Sequence, residues 1–180
     1  FIRCCSFLIF ICIGMGSDMT DKKTHEAFMR HALGRAKTAA KYGETPVGAV
    51  IVKDGKIIAG GRNRRETGKN ALYHAELSAI DAACRKLGGW RLIGCDLYVT
   101  LEPCPMCAGA IIAARIEHVY FGAYDKKAGS FGSIADFNAI GYNHKPVVTG
   151  GVLEKECAGL LSEFFRKLRL SKKSAGNTLL

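Results

Sequence analysis

Apolar residues recur every three or four positions between Asp21 and Tyr42. Phe28, Met29, Ala32, Leu33, Ala36 and Ala40 fall on one face of a predicted helix there. Two short apolar runs follow, Pro46 to Lys53 and Lys56 to Gly61. They are joined by Asp54-Gly55, a strong hairpin signal between strand-like segments. Arg62 to Tyr73 is polar and reads as a loop. A second helical pattern covers Ala75 to Leu87, with Leu77, Ile80, Cys84 and Leu87 expected on its apolar side and Gly88-Gly89 ending it. Asp96 to Thr100 reads as a third strand and Ala108 to Ala114 as a buried helix. Glu117 to Gly122 is a fourth strand and Val147 to Thr149 a short fifth. Between those two, Asp125 to Asn143 is irregular, with a short helix expected near Ile134 to Phe137. Leu153, Cys157, Leu160, Leu161, Phe164, Phe165 and Leu168 give the last helix an amphipathic face. Strands alternating with helices place the chain in the α/β class.

The ends read differently. Cys4 to Ile13 is apolar apart from Ser6, about ten residues, where a membrane-spanning helix needs about 20. We expect residues 1–18 to be an extension outside the domain, with Met19 opening the domain proper. A signal-peptide core flanked by Arg3 is the alternative. One domain is expected over residues 19–170, followed by a disordered basic tail over 171–180. No internal repeat or linker interrupts the domain.

The densest chemistry lies at Leu101-Glu102-Pro103-Cys104-Pro105-Met106-Cys107, between the third strand and the following helix. Cysteines three apart on one helical turn have Cβ atoms about 5–6 Å apart, a spacing at which a tetrahedral zinc can take both thiolates. A redox pair and a structural zinc knuckle use the same spacing. Upstream, Tyr73-His74-Ala75-Glu76 adds an imidazole and a carboxylate. Both reach one site only if His74 lies in the opening turn of its helix, since residues two apart otherwise diverge. His74, Cys104 and Cys107 then supply three protein ligands with no obvious fourth. That is the pattern of a catalytic zinc, which keeps one position for water, rather than of a closed structural one. Glu76 is a carboxylate placed to move protons.

His-x-Glu with Pro-Cys-x-x-Cys is also a known signature, and on it the chain resembles the zinc-dependent nucleoside and cytidine deaminase superfamily. More narrowly it resembles the branch that converts the wobble adenosine of tRNA anticodons to inosine. Pro46-Val47-Gly48-Ala49-Val50, Arg62-Asn63-Arg64, Phe121 to Asp125 with Ala128-Gly129-Ser130, Gly151-Val152-Leu153 and Phe164-Phe165-Arg166 carry that likeness, which extends from about Glu26 to Arg169. The resemblance implies a three-layer α/β/α fold with a mixed five-stranded sheet, one Zn2+ per chain, a homodimer, and a tRNA anticodon stem-loop as partner. It implies His74, Cys104 and Cys107 as metal ligands and Glu76 as the catalytic proton carrier. It matches Asn63 to an asparagine that contacts the target base and Asp125 to an acid near the substrate backbone. Val47 would be apolar pocket wall, the Ala75 N–H would hold the reacting oxygen, and Phe165 would stack on anticodon bases. His144 is a conceivable further contact. Glu102 carries no role that can be read from the sequence.

Composition adds one thing. Hydrophobic residues at 48% and charged residues at 23% are ordinary for a globular domain, but a formal charge of +10 is not. It points to an anionic partner, nucleic acid first. Arg166, Lys167, Arg169, Lys172 and Lys173 crowd the last 15 residues without an acid, and Arg62, Arg64, Arg65 and Lys69 precede His74. The eight cysteines are not spaced as in a small secreted disulfide scaffold, and thiolate ligands suit a reducing compartment, so a cytoplasmic protein with no membrane partner is expected. Three rivals share parts of these features: a deaminase of free guanine, cytosine or a nucleoside, a non-catalytic zinc module that binds nucleic acid, and a redox Cys-x-x-Cys protein.

Overall fold

The computed structural model describes residues 17–176 of the chain. In chain order the elements are α1 (Ser17–Lys41), β1 (Gly48–Lys53), β2 (Lys56–Arg62), α2 (Arg65–Gly68), α3 (Ala75–Leu87), β3 (Cys95–Leu101), α4 (Pro105–Ala113), β4 (His118–Ala123), β5 (Val147–Thr149) and α5 (Glu154–Gly176). The strands form one sheet in the order β2-β1-β3-β4-β5. β1 pairs antiparallel with both β2 and β3, while β3, β4 and β5 run parallel. The sheet is therefore mixed and five-stranded, as expected.

Side chains alternate across a strand, and β1 uses both faces. Ala49 and Ile51 join Leu97, Val99, Val119 and Phe121 in a core with Ala75, Ala79 and Ala83 of α3 and Ile111 of α4. Val50 and Val52 face the other way, into a second core with Met29, Ala32 and Leu33 of α1 and Cys157 of α5. Two helices thus cover each face, giving three layers. Asp54 and Gly55 form the tight turn of the β1–β2 hairpin, both with positive φ (49° and 69°), as a type I′ turn requires.

Several expectations need correction. Residues 1–16 lie outside the described part, so the expected 1–18 extension is visible only where α1 opens at Ser17. The expected end of the domain at 170 falls inside α5, which stays helical to Gly176. The loop before His74 contains a short helix, α2. No helix forms at Ile134 to Phe137; the chain there makes turns closed by a bridge between Phe131 and Asp136. On α3 the buried face is Ala75, Ala79, Ile80 and Ala83, while Leu87 is exposed. The reason is close packing. A Cβ on Gly61 of β2 would collide with the Ala75 carbonyl oxygen, so this helix meets the sheet through small residues.

Glu44, in the turn between α1 and β1, is 1% exposed. It accepts hydrogen bonds from the backbone N–H groups of Glu66 (3.2 Å) and Thr67 (2.7 Å) and from the Thr67 hydroxyl (2.8 Å). Burial alone would raise its carboxyl, but these bonds and nearby Arg62 outweigh it and hold the group below its ordinary value. A depressed folded value stabilises the fold above the unfolded carboxylate range, near pH 4.3, and the stabilisation is lost as pH falls through the folded value. Glu44→Gln should lower stability at pH 7 by about 1–3 kcal/mol. It should also flatten the loss of stability below about pH 5. Urea unfolding across pH 3–7 reads both; parallel curves for the two proteins would refute it.

Candidate active site

Two helices begin at the same cleft. His74 is the N-cap of α3 in an extended conformation, and Ala75 and Glu76 are the next two residues. Cys104 is the N-cap of α4, with Pro105 at its first position, where a missing N–H is harmless. Cys107 lies in the first turn and is fully buried. The condition set by the His-x-Glu spacing, an opening-turn histidine, is therefore met. The N-terminus of α4 directs partial positive charge at its N-cap Cys104, favouring the thiolate form.

His74 Nδ1 lies 3.7 Å from Cys104 Sγ and 3.5 Å from Cys107 Sγ. The three donor atoms fall within 4.8 Å of one another, and no other such group of His, Cys, Asp and Glu occurs among the described residues. A tetrahedral zinc with bonds of about 2.3 Å to sulfur and about 2.0–2.1 Å to nitrogen spaces such atoms about 3.6 Å apart. The donor set fits that ion in chemistry and in spacing. The hydrogen bond from Cys107, outweighing burial and helped by His74, holds the Cys104 thiol well below the usual range. The same bond, with burial, pushes Cys107 up. Hydrogen bonding to Cys104 raises His74.

Glu76 is 3% exposed, and its Oε2 is buried without a hydrogen-bond partner. Burial pushes its carboxyl up to about 7, against the pull of its own backbone N–H and of His74. An orphaned buried carboxylate oxygen beside three metal donors is a group waiting for a cation or a proton to exchange.

The cleft has a volume of about 210 Å³. Thr45, Val47 and Asn63 line it together with His74, Glu76 and Cys104 and with Glu102, Asp125 and Ala128. Val47 stands where the sequence reading places it. Asn63 is there too, but its side-chain oxygen accepts the Ala75 N–H at 2.9 Å. This corrects one expectation: the Ala75 N–H is already engaged by Asn63 and is not available to a reacting oxygen. Asp125 lines the cleft while its own Oδ1 accepts the Lys127 N–H (2.9 Å), so it is a turn residue as well as a cleft residue. Phe165 is not in the cleft. It is 40% exposed and lines a separate groove with Lys127, Leu161 and Arg169. His144 is also elsewhere; its Nε2 sits 2.6 Å from the Ile116 carbonyl oxygen, beside Arg115 and Glu117.

Thr45, Arg65 and Ala128 are cleft residues to which the sequence reading gave no role in the site. Arg65 left a signal as part of the basic run before His74 and Ala128 as part of a stretch that carries the family likeness, while Thr45 left none. A larger cleft, about 500 Å³, opens beside the edge strand β2 and is lined by Arg35, Arg62, Arg64 and Arg85. Its size exceeds that of the donor cleft, but it holds no metal-donor group, so we place the chemistry in the smaller one.

The described family of cytidine and deoxycytidylate deaminases, through its zinc-binding region, matches residues 22–123. The tRNA-specific adenosine deaminase of Bacillus subtilis (strain 168) is 51% identical over 155 residues, which is 86% of this chain and 96% of that protein. A structure from work on A-to-I editing by tRNA:A34 deaminases at the wobble position of transfer RNA superposes with a TM-score of 0.70 at 43% identity. It covers 75% of this chain and 99% of its own. A guanine deaminase from Nitrosomonas europaea superposes with a TM-score of 0.67 at 26% identity, covering 77% and 83%.

Proposed function

The chain belongs to the cytidine and deoxycytidylate deaminase zinc-binding family, and from that premise we propose that it hydrolyses the wobble adenosine of tRNA anticodons to inosine. The observation that carries tRNA as substrate is the match along almost the whole of the Bacillus subtilis tRNA-specific adenosine deaminase. The observation that supports the chemistry is the His74, Cys104 and Cys107 donor set with Glu76 beside it.

His74, Cys104 and Cys107 would hold a zinc ion, and its Lewis acidity when bound makes water a nucleophile near neutral pH. Three protein donors would leave such an ion a position for water, as catalytic sites do. Water adds at C6 of adenine. Glu76 takes a proton from it and returns protons to the ring and to the departing nitrogen. The C6–N bond breaks, ammonia leaves, and inosine remains. Val47 closes the cleft on one side with apolar surface, and Asn63 presents amide hydrogens to the base. Phe165, with Lys127 and Arg169 around it, offers a stacking surface and phosphate partners in the groove beyond.

The same reading makes the enzyme a cytoplasmic homodimer. Exposed Trp90, Ile93, Ile140 and Tyr142 lie on segments that come together around Arg115 and His144, and they suit a second copy of the chain. Thiolate ligands suit a reducing compartment, and among the described residues no helix is long and apolar enough to cross a membrane. Incubation of the zinc-loaded protein with synthetic anticodon stem-loops and, separately, with guanine, cytosine and free nucleosides tests the substrate. Inosine formation confined to stem-loops is expected; turnover of guanine alone would overturn the reading.

A further inference from the structure

Glu102 is the one buried acid at the cleft that the mechanism leaves unused. It is 1% exposed and directly follows β3, two residues before Cys104. Among the described residues no cation pairs with it. Its carboxylate is instead saturated by neutral donors from a single segment of the chain. Oε1 accepts the backbone N–H groups of Phe131 (3.0 Å) and Ser133 (3.1 Å). Oε2 accepts the Asp125 N–H (3.1 Å) and the Ser133 hydroxyl. Beside it, the Pro103 carbonyl accepts the Ser130 N–H at 3.0 Å. A Cβ at Gly129 would strike the Glu102 carboxylate, so only glycine lets the segment come this near. The segment so held carries Asp125 and Ala128, which line the same cleft as Asn63 and the metal donors His74 and Cys104.

We propose that Glu102 is a positioning residue for the substrate: it fastens the 125–133 segment to the strand that delivers the metal-donor cysteines, and so sets the distance between the RNA-facing wall and the reacting centre. This rests on the tRNA reading for its substrate. Its physical basis is independent of that reading. A loop of this kind carries many backbone N–H groups that no helix or sheet satisfies, and one buried carboxylate supplies acceptors for three of them. Glutamine cannot do the same, because its NH2 group would face N–H donors whichever way the amide turned. The reacting groups do not touch Glu102, so its loss should misplace substrate rather than remove a proton carrier.

The test uses the full-length zinc protein with Glu102→Gln, and Ser133→Ala as a milder change that removes one donor and keeps the carboxylate. Zinc content, kcat and KM on an anticodon stem-loop, and amide hydrogen exchange are measured for each. For Glu102→Gln we expect one zinc per chain and at least tenfold lower kcat/KM, carried by KM. Exchange should be faster at Phe131 and Ser133 but unchanged in β3. Ser133→Ala should shift KM the same way by a smaller factor. Partial unfolding would lower the active fraction, and so kcat, without raising KM; that pattern overturns the proposal. So do unaltered exchange at Phe131 and Ser133, and loss of zinc together with activity, which would make Glu102 a support of the metal site. If wild-type protein fails on every stem-loop, the tRNA reading falls, and the exchange result alone decides whether Glu102 holds the segment.

Discussion

Glu76→Ala and Glu76→Gln should both keep zinc and bind RNA as the wild type does, while inosine formation slows by about 10²–10⁴-fold, the range a positioned proton carrier supplies. No other carboxylate can take over. Among the described residues only Glu102 and Asp125 also line the cleft with a carboxyl group. Glu102 has its oxygens committed to Asp125, Phe131 and Ser133, and Asp125 accepts from Lys127. Stability should move the other way. A buried acid with an oxygen lacking any partner destabilises the fold, so the metal-free Glu76→Gln protein should melt at the same temperature as the metal-free wild type or above it. Undiminished turnover in either variant removes Glu76 from the mechanism.

Stripping the metal should have the other large effect, and on two separate readouts. The donors come from segments 30 and 33 residues apart in the chain, at the starts of two helices that share one core. Zinc ties those starts together in the folded state only. At a free concentration about 1,000 times its Kd it would stabilise by about 4 kcal/mol. For a domain of this size that corresponds to a melting shift of roughly 10 °C. A chelator should therefore abolish activity and lower the melting temperature by about that amount, and added zinc should restore both. Cys107→Ser should reproduce the loss, with no further response to chelator. The metal-free protein should stay folded, because the cores on both faces of the sheet do not depend on the three donors. A melting temperature unmoved by chelator would show that no metal is held there.

What was legible in the sequence was local. Cys104 and Cys107 are three apart, His74 and Glu76 two apart, and each pair sits at a helix start that the surrounding pattern marks. The strands and the hairpin turn at Asp54-Gly55 announce themselves in the same way. What was not legible depends on contacts between distant segments. Periodicity points to Leu77 and Leu87 on α3, but proximity to Gly61 selects Ala75, Ala79 and Ala83 for the buried face. The role of Glu102 needs partners 23 to 31 residues further on. A hint existed, since an acid set between a buried strand and a proline-flanked cysteine pair is out of place unless something satisfies it. Phe165 shows the converse case: an aromatic on an amphipathic helix promises a site or a core, and here it faces a groove of its own beside Lys127.

The bond from the Ala75 N–H to Asn63 has a selective consequence. A backbone N–H can pair only with the oxygen of an asparagine amide, so the side chain cannot rotate end for end without breaking it. The amide hydrogens of Asn63 therefore keep one orientation, in which they can meet a lone pair of an incoming heterocycle. Discrimination among nucleobases can thus draw on an amide locked by the first turn of a helix.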